Sequence, residues 1–184
     1  MTAPGGYAFR PVTEADLGLI AGWLAEPHVR AWWGEDAAYD ADDLADRRVA
    51  RRIVSLAGRP FAYMQDYAVH GWPDHHFAAL PDGSRGIDQF IGPPDMLGRG
   101  HGPTFVADRL RALFAAGTPV VATDPHPDNA RAIAAYRRCG FAASGPPVET
   151  RWGRVLPMIA RPGAVPCRPA VAVRPRPAAP QPRS

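Results

Sequence analysis

The 184-residue sequence predicts one α/β domain, with a mixed central sheet flanked by helices and a Pro/Arg-rich C-terminal tail that we expect to be disordered. Three observations predict this class. Apolar strand-like segments alternate with two amphipathic helical segments in the second half of the chain. Apolar residues make up 46% of the chain, enough for one core at this length. From Pro162 onward the composition changes to Pro, Ala, Val and Arg. We therefore place the domain at 1–161 and the tail at 162–184.

The first half of the chain predicts a strand, two helices and a hairpin. Thr13-Glu-Ala-Asp16 has the residue types of a helix start, and Leu17, Ile20 and Leu24 follow it at helical spacing. Gly58-Arg59 separates two apolar segments, as in a hairpin. The predicted elements are a strand at 7–12, a helix that begins at 13–16, a helix from 41 to about 51, hairpin strands at 53–57 and 60–69, and a loop over 70–84.

The second half predicts two crossover helices, which give a sheet that is partly parallel and partly antiparallel. Val106, Leu110, Leu113 and Phe114 form one apolar stripe on the first helix, and Gly140 ends the second. The predicted elements are a strand at 85–91, a helix over 103–116, a strand at 119–124, a helix over 128–139 capped near Asp128, and closing strands near 141–144 and 148–159.

A glycine-rich loop lies between the strand at 85–91 and the first of these helices. Gly98, Gly100 and Gly102 let the backbone turn sharply and approach a ligand without a Cβ atom. The helix is predicted to begin at about Pro103, and the free N–H groups of a helix N-terminus attract anions. A phosphate or pyrophosphate is therefore expected on this loop. Taken alone, the loop is equally compatible with a tight turn that binds nothing. It is not a Walker loop, because the chain contains no lysine.

A second segment carries a family resemblance. Five residues match the pattern Asn-x-x-Ala-x-x-x-Tyr-x-x-x-Gly-Phe: Asn129, Ala132, Tyr136, Gly140 and Phe141. Together with the glycine loop, this pattern resembles the GNAT superfamily of acyl-CoA-dependent N-acyltransferases. Four further segments are similar to its aminoglycoside 6'-N-acetyltransferase branch: 32–34 (Trp-Trp-Gly), 86–90 (Gly-Ile-Asp-Gln-Phe), 97–102 (Leu-Gly-Arg-Gly-His-Gly) and 123–125 (Thr-Asp-Pro). The resemblance covers about residues 7–160 and implies a GNAT fold and acetyl-CoA as co-substrate.

The residues expected to bind the coenzyme follow from the loop and the resemblance together. Backbone N–H groups of the loop hold the phosphates, and Arg99 adds charge. The resemblance implies that the strand at 85–91 bulges and frees an N–H group that polarises the thioester carbonyl, and we favour Ile91 for this role. The predicted coenzyme-binding residues are Phe90, Ile91, Leu97, Gly98, Arg99, Gly100, His101, Gly102, Pro103, Thr104, Asn129 and Ala132.

Asp88 and Tyr136 are the predicted catalytic residues. A phenol, with an ordinary pKa of ~10, can protonate a departing thiolate, and the resemblance implies that role for Tyr136. The alternative is a core tyrosine, three residues from Ile133 on one helix face. Asp88 stands in an apolar strand, where an unpaired acid is costly. It is predicted to deprotonate or anchor the amine, and a salt bridge to an arginine is the alternative.

The residues expected to contact the acceptor amine surround this acid. The predicted substrate-binding residues are Trp33, Gln65, Tyr67, Asp74, Asp88 and Asp124. Trp33 and Trp32 are alternatively core or lid residues, and Asp124 alternatively caps the following turn. The cluster His70, Trp72, Asp74, His75 and His76 lacks the spacing of a metal site, so we predict a solvated loop near the acceptor and no metal. The segment Phe77-Ala-Ala-Leu80 stands where the resembled branch often has acids.

Charge and composition limit the possible partners. Four of the 21 arginines lie after residue 162, so the formal charge of +3 becomes −1 without the tail. This argues against nucleic acid and suits a cationic substrate. The sequence has no transmembrane segment or signal peptide, and its two cysteines suggest no disulfide framework. We therefore expect a cytoplasmic protein. The tail, if it binds anything, suits a partner protein or an acidic surface.

The sequence thus predicts an N-acetyltransferase that moves an acetyl group from acetyl-CoA to a primary amine of a small cationic acceptor. The preferred acceptor is a cationic amino sugar or another small polyamine, and one candidate is an aminoglycoside acetylated at its 6'-amine. The resemblance supports the use of acetyl-CoA better than it supports a role in antibiotic resistance. The alternatives are a siderophore or hydroxylysine-type N-acyltransferase, acylation of a protein N-terminus, and a CoA-binding module without catalysis. The sequence does not predict an oligomeric state.

Overall fold

The computed structural model describes residues 6–35 and 37–166, which contain a central sheet and five α-helices. The helices are α1 (Leu17–Leu24), α2 (Pro27–Trp33), α3 (Ala41–Ala45), α4 (His101–Ala115) and α5 (Ala130–Arg138). The strands are β1 (Tyr7–Pro11), β2 (Val49–Leu56), β3 (Arg59–Ala68), β4 (Arg85–Ile91), β5 (Val121–Thr123), β6 (Ala142–Ala143), β7 (Val148–Thr150), β8 (Gly153–Val155) and β9 (Met158–Ala160). None of the helices in these two ranges has the length and apolarity needed to span a membrane.

Seven strands form one sheet in the order β1-β2-β3-β4-β5-β9-β6, and β7 and β8 form a separate hairpin. β4 and β5 are parallel, whereas the other pairs of the described sheet are antiparallel. α4 connects β4 to β5 because parallel neighbours need a crossover. The predicted mixed α/β sheet flanked by helices is confirmed.

The two faces of the sheet are covered by different helices. α4 and α5 contribute to the larger cluster of buried apolar residues, which includes Phe105, Leu110 and Ile133. On the other face, α1 and α2 contribute Trp23 and Val29 to a second cluster. The central strands are therefore buried from both sides, except where the helices leave a gap.

Several predicted boundaries are wrong. The helix expected over 41–51 ends at Ala45, because Asp40 caps a single short helix and the chain then enters the β2–β3 ladder. α2 was not predicted. α4 begins at His101, before Pro103, and α5 is capped by Asn129, whose side chain accepts from the Ala132 N–H at 3.0 Å. The last predicted strand is divided into β7, β8 and β9.

The most consequential feature of the sheet is the divergence of β4 and β5. Their pairing is confined to Arg85–Val121 and Gly86–Ala122. β4 stays paired with β3 over its whole length without a register shift, so the bulge expected in this strand is absent from that ladder. The Gly92 N–H bonds to the Phe61 carbonyl on β3 at 2.9 Å. Successive residues of a strand direct their backbone N–H groups to opposite edges. Because the Gly92 N–H points to β3, the Ile91 N–H points the other way, into the gap between the diverging strands β4 and β5.

Only the beginning of the predicted tail lies within the described residues. There, Val165 packs against the larger apolar cluster, and Arg111 donates to the Pro166 carbonyl at 2.9 Å. The predicted disorder of the tail concerns mainly 167–184, which lie outside the described residues, and it stays a prediction.

Candidate active site

A pocket of about 530 Å³ opens where β4 and β5 diverge. Its wall combines residues of α2, β2, β3, β4, the segment after β5, and α5. The sequence-predicted residues that the structure brings together here are Trp33, Gln65, Tyr67, Asp88, Asp124, Asn129, Ala132 and Tyr136. Both predicted catalytic residues therefore line the same cavity.

Asp88 is held by a chain of hydrogen-bonded side chains. Gln65 Nε2 donates to Asp88 Oδ2 at 2.9 Å, and the Tyr63 hydroxyl donates to Gln65 Oε1 at 2.8 Å. Tyr63 is hydrogen-bonded to Tyr39, whose hydroxyl accepts from the Trp33 indole N–H at 3.2 Å. The register explains this chain, since Gln65 lies directly opposite Asp88 across the β3–β4 ladder. Asp88 is thus fixed in position by neutral groups.

Burial is the main cause that raises the pKa of Asp88 to about 7, and the neighbouring charge of Asp124 acts in the same direction. The hydrogen bond from Gln65 opposes this shift. The alternative prediction, a salt bridge between Asp88 and an arginine, is wrong. The arginines instead contact Asp66, which lies on the opposite face of the sheet. Asp66 is contacted by Arg52, Arg85 and Arg109. Asp88 is left as a carboxyl that changes charge near neutral pH.

Tyr136 is both a core residue and a pocket residue. Its ring is 5% exposed and packs edge-on against Phe141, with ring centroids 5.3 Å apart. Its hydroxyl group is hydrogen-bonded to Thr123 at the end of β5. Burial and the charge of Asp88 raise the pKa of Tyr136 above its ordinary value, so the phenol keeps its proton at neutral pH. Tyr136 is therefore a core residue, as one interpretation predicted, and its position in the pocket is also compatible with the predicted role as an acid.

The loop between β3 and β4 supplies a partner for Asp124. His76 Nε2 lies 2.9 Å from Asp124 Oδ2, and the two side chains are 12% and 16% exposed. His75 is buried and stacks on His76 with a centroid distance of 4.6 Å. The prediction of a solvated loop is wrong for these two histidines, since Trp152 packs against both rings, whereas His70 and Asp74 are exposed as predicted. Asp74 is exposed and does not line the pocket, so the structure does not bring it to the other predicted substrate residues.

Two exposed indoles flank the pocket. Trp32 is 49% exposed and packs against His126, and Trp152 is 52% exposed and lies beside His75. Trp152 was not predicted, because its approach depends on the β7–β8 hairpin folding back. No pattern in the sequence predicts the contact between Trp152 and His75. The pocket therefore has flat apolar surfaces at its opening, which suit the faces of a ring-shaped ligand.

Tyr39 and Arg51 also line the pocket without having been predicted. Arg51 was not identified because it falls at the end of the helix that the sequence predicts over 41–51. Extending the strand alternation backward from Ile53 places Arg51 on the same face as Ile53, and this signal identifies it as a site residue. Tyr39 lies in an irregular segment and carries no comparable signal.

The glycine loop has the backbone geometry expected of an anion site. Gly98 and Gly100 have φ values of 73° and 79°, which only glycine adopts readily. α4 begins immediately afterward, so His101 and Gly102 have N–H groups in the first turn that the helix does not use. Pro103 lies within this turn and contributes no N–H. A coenzyme phosphate fits here, because no side chain caps the helix start.

The remaining predicted coenzyme residues lie outside the pocket, at the carboxyl end of β4. The Phe90 side chain packs against Trp33 and Trp23 in the apolar cluster beneath α1 and α2. The Ile91 carbonyl accepts a hydrogen bond from His28 Nε2 at 2.9 Å, if that nitrogen carries the proton. The predicted residues of the loop that are outside the pocket are Leu97, Gly98, Arg99, Gly100, His101, Gly102, Pro103 and Thr104. Among the described residues, no group of acids, histidines and cysteines forms a metal site.

Comparison with known proteins identifies the family of the chain. A family model described as an acetyltransferase (GNAT) domain matches residues 12–146. Proteins from Klebsiella pneumoniae and Serratia marcescens, each named aminoglycoside N(6')-acetyltransferase type 1, are 35% identical over 150 residues. Each alignment covers 74% of this chain and 74% of the relative.

Solved structures show the same similarity. The structure of AAC(6')-Ib in complex with ribostamycin and coenzyme A has a TM-score of 0.78 and 33% identity, covering 86% of this chain and 95% of the other. The complex of that enzyme with coenzyme A and kanamycin has a TM-score of 0.77 and 32% identity, covering 86% and 96%.

Proposed function

Because the chain belongs to the GNAT acetyltransferase family, an assignment that the family model and the relatives establish, we propose that its acceptor is an aminoglycoside, modified at the 6'-amine. The relatives named above are aminoglycoside acetyltransferases, and two neighbouring structures contain coenzyme A with an aminoglycoside. The enzyme itself is an acetyl-CoA-dependent N-acetyltransferase. Its physiological role under this proposal is resistance to such antibiotics.

One observation carries the proposal: two carboxyl groups and a phenol face one pocket at the divergence of β4 and β5. Asp88, Asp124 and Tyr136 line this pocket together. Two acids close enough to interact create a negative potential that attracts an ammonium group. The exposed faces of Trp32 and Trp152 add surfaces on which a sugar ring can rest. A cationic amino sugar satisfies both features.

The acceptor arrives as an ammonium ion and must lose a proton before it can attack. We propose that Asp88 accepts this proton, because its pKa of about 7 makes it an effective base at neutral pH. Gln65 holds the carboxylate through Oδ2, which leaves Oδ1 for the amine. Asp124 stabilises the cation before the transfer. The free amine nitrogen then forms the new bond to the acetyl carbon.

Acetyl-CoA supplies the acetyl thioester, and the chain provides its binding groups. The N–H groups of the glycine loop and the first turn of α4 bind its phosphates. The N–H of Ile91 faces the gap and polarises the carbonyl oxygen. As the carbon–sulfur bond breaks, the Tyr136 hydroxyl donates its proton to the sulfur, and the second proton lost by the acetylated nitrogen restores the phenol. The raised pKa of Tyr136 keeps that proton available.

A thiol-release assay with acetyl-CoA tests the proposal. The panel contains kanamycin, ribostamycin, spermidine, N6-hydroxylysine and a short peptide, and mass spectrometry locates the acetyl group. Saturable turnover of the aminoglycosides at the 6'-amine is the expected result. Turnover of another amine, with none of the aminoglycosides acetylated, would support the transferase activity and contradict the proposed acceptor. Acetyl-CoA binding without turnover on a broad amine panel would indicate a module without catalysis.

A further inference from the structure

Arg51 occupies a defined place on the floor of the pocket. It lies opposite Gln65 in the β2–β3 ladder, and Gln65 lies opposite Asp88 in the β3–β4 ladder. The three side chains therefore form a row on one face of the sheet. Neighbouring strands are ~4.8 Å apart, so the backbones of Arg51 and Asp88 are separated by about 10 Å. One acceptor molecule of sugar size can span that distance.

The Arg51 guanidinium has donor groups that the described residues do not satisfy. The side chain is 9% exposed, and it packs over the Tyr39 ring at 5.6 Å. One Nη donates to the Asp43 carbonyl, and the other lies 3.9 Å from Asp43 Oδ1. Nε is buried without a hydrogen-bond partner in the described part of the chain, so only the Nη groups on the pocket side are open to a ligand. The two Nη groups carry four N–H donors, and the Asp43 contacts use at most two of them, so the others are free to bind oxygen atoms of a ligand in the pocket.

The charges along the pocket are asymmetric. At the end near Arg51, the two acids each contact an arginine, Asp43 with Arg51 and Asp46 with Arg48. At the other end, Asp88 contacts Gln65, and Asp124 contacts His76. An ammonium group is therefore attracted to the Asp88 end. Beside the guanidinium, a second ammonium group gains no net attraction because Arg51 and Asp43 offset each other, whereas a hydroxyl or ether oxygen is accepted as a hydrogen-bond partner.

We infer that Arg51 determines acceptor specificity by binding an oxygen of the acceptor several ångströms from the reacting amine. The acceptor class that fits is an amine carried on a hydroxylated ring, and a linear polyamine without oxygen is excluded. This inference rests on the proposed function, because it specifies what the acceptor must carry besides its amine. Arg51 acts on acceptor binding and takes no part in proton transfer.

The test compares kanamycin with spermidine, because both are polycations and only kanamycin has ring oxygens. Arg51→Met removes the donors and the charge while it retains an unbranched side chain. We expect the KM for kanamycin to rise about tenfold, with kcat changed less than about threefold, because a lost hydrogen bond to a charged group mainly weakens binding. The KM for spermidine is expected to stay the same or fall. Arg59→Met is the matched control, because Arg59 pairs with Asp95 in an exposed position outside the pocket.

Arg51→Lys separates charge from geometry and also covers the case in which Arg51→Met does not fold. It keeps the positive charge but lacks the planar fork, so kanamycin binding should weaken about fivefold while spermidine stays disfavoured. The dissociation constant of acetyl-CoA, measured by calorimetry, verifies that each variant is folded. An equal change of KM for both acceptors, or no change for either, overturns the inference.

The same titrations distinguish this inference from the proposed function. If the wild-type protein fails to acetylate kanamycin, the proposed function fails. Calorimetric binding of kanamycin and spermidine to wild type and Arg51→Met then decides the inference independently. A kanamycin-to-spermidine affinity ratio that falls at least fivefold supports it. A ratio that does not fall, or wild-type protein that binds no kanamycin, rejects it.

Discussion

Replacing Asp88 by Asn is expected to stabilise the fold while abolishing most of the activity. Asp88 lies in the pocket wall, and burial together with Asp124 raises its pKa to about 7. Asn has the same shape, carries no charge and can still accept the hydrogen bond from Gln65. The native carboxylate therefore lowers the stability of the fold when it is ionised, and the variant removes that cost.

The size and sign of the effect follow from the pKa of Asp88. In the unfolded chain, the carboxyl ionises near its ordinary value of 3.8, whereas in the folded protein it keeps its proton up to about pH 7. Stability is therefore lost as the pH rises from about 4 to about 7, and the loss is constant above that range. The difference between the two pKa values corresponds to roughly 4 kcal/mol. At pH 5 the expected difference between variant and wild type is roughly 1.5 kcal/mol, and at pH 8 it is roughly 4 kcal/mol.

Urea unfolding followed by tryptophan fluorescence measures this difference at pH 5 and pH 8. Asp82→Asn, at an exposed position in the loop before β4, is the control, and its stability relative to wild type should not change between the two pH values. The wild-type kcat/KM should rise through about pH 7, and Asp88→Asn should lower it by about 10²–10⁴. A variant that is less stable than wild type at pH 8, or a difference that does not grow with pH, would refute the reasoning.

Three further substitutions test other parts of the molecule. Tyr136→Phe should lower kcat by roughly 10²-fold and cost roughly 1 kcal/mol in urea unfolding, because it removes the hydroxyl and its hydrogen bond to Thr123; unchanged turnover would exclude the acid role. Gly86→Ala should cost roughly 1–3 kcal/mol in urea unfolding, since the new methyl would lie 2.1 Å from the Tyr67 ring. Its control is Gly22→Ala in α1, where the new methyl would meet no atom of another segment within 4 Å, and it should stabilise by up to about 1 kcal/mol. Gly100→Ala should raise the KM for acetyl-CoA severalfold and leave the acceptor KM unchanged, because φ there is 79°; an effect on the acceptor alone would contradict a phosphate role for the loop.

Elements with strong local patterns were predicted well. β4 has the predicted bounds, and α5 is two residues shorter at its start and one at its end than predicted, since a strand with one acid and a helix with a capping residue and a glycine stop are defined by neighbours in the sequence. The failure at 41–51 has the opposite cause. β2 begins at Val49 because its residues pair with β3, and that pairing outweighs the helical spacing of the segment.

The site shows the same division. Asp88 and Tyr136 were identified from their residue types and their place in a recognised pattern, and the structure places both in one pocket. The neighbouring residues that complete the pocket around Asp88 and Tyr136 were not identified from the sequence. His76 beside Asp124 and Trp152 beside the histidines come from segments far apart in the chain.

The amino-acid sequence alone determined the order of strands and helices around the glycine loop, and it identified the acid and the phenol. Those features depend on local periodicity, backbone freedom at glycine and residue chemistry. The tertiary structure decided that β4 and β5 diverge after Gly86, that Asp88 meets Gln65 while Asp66 takes the arginines, and that Arg51 lines the pocket. Strand register and burial set these contacts, and both arise only when distant segments pack together.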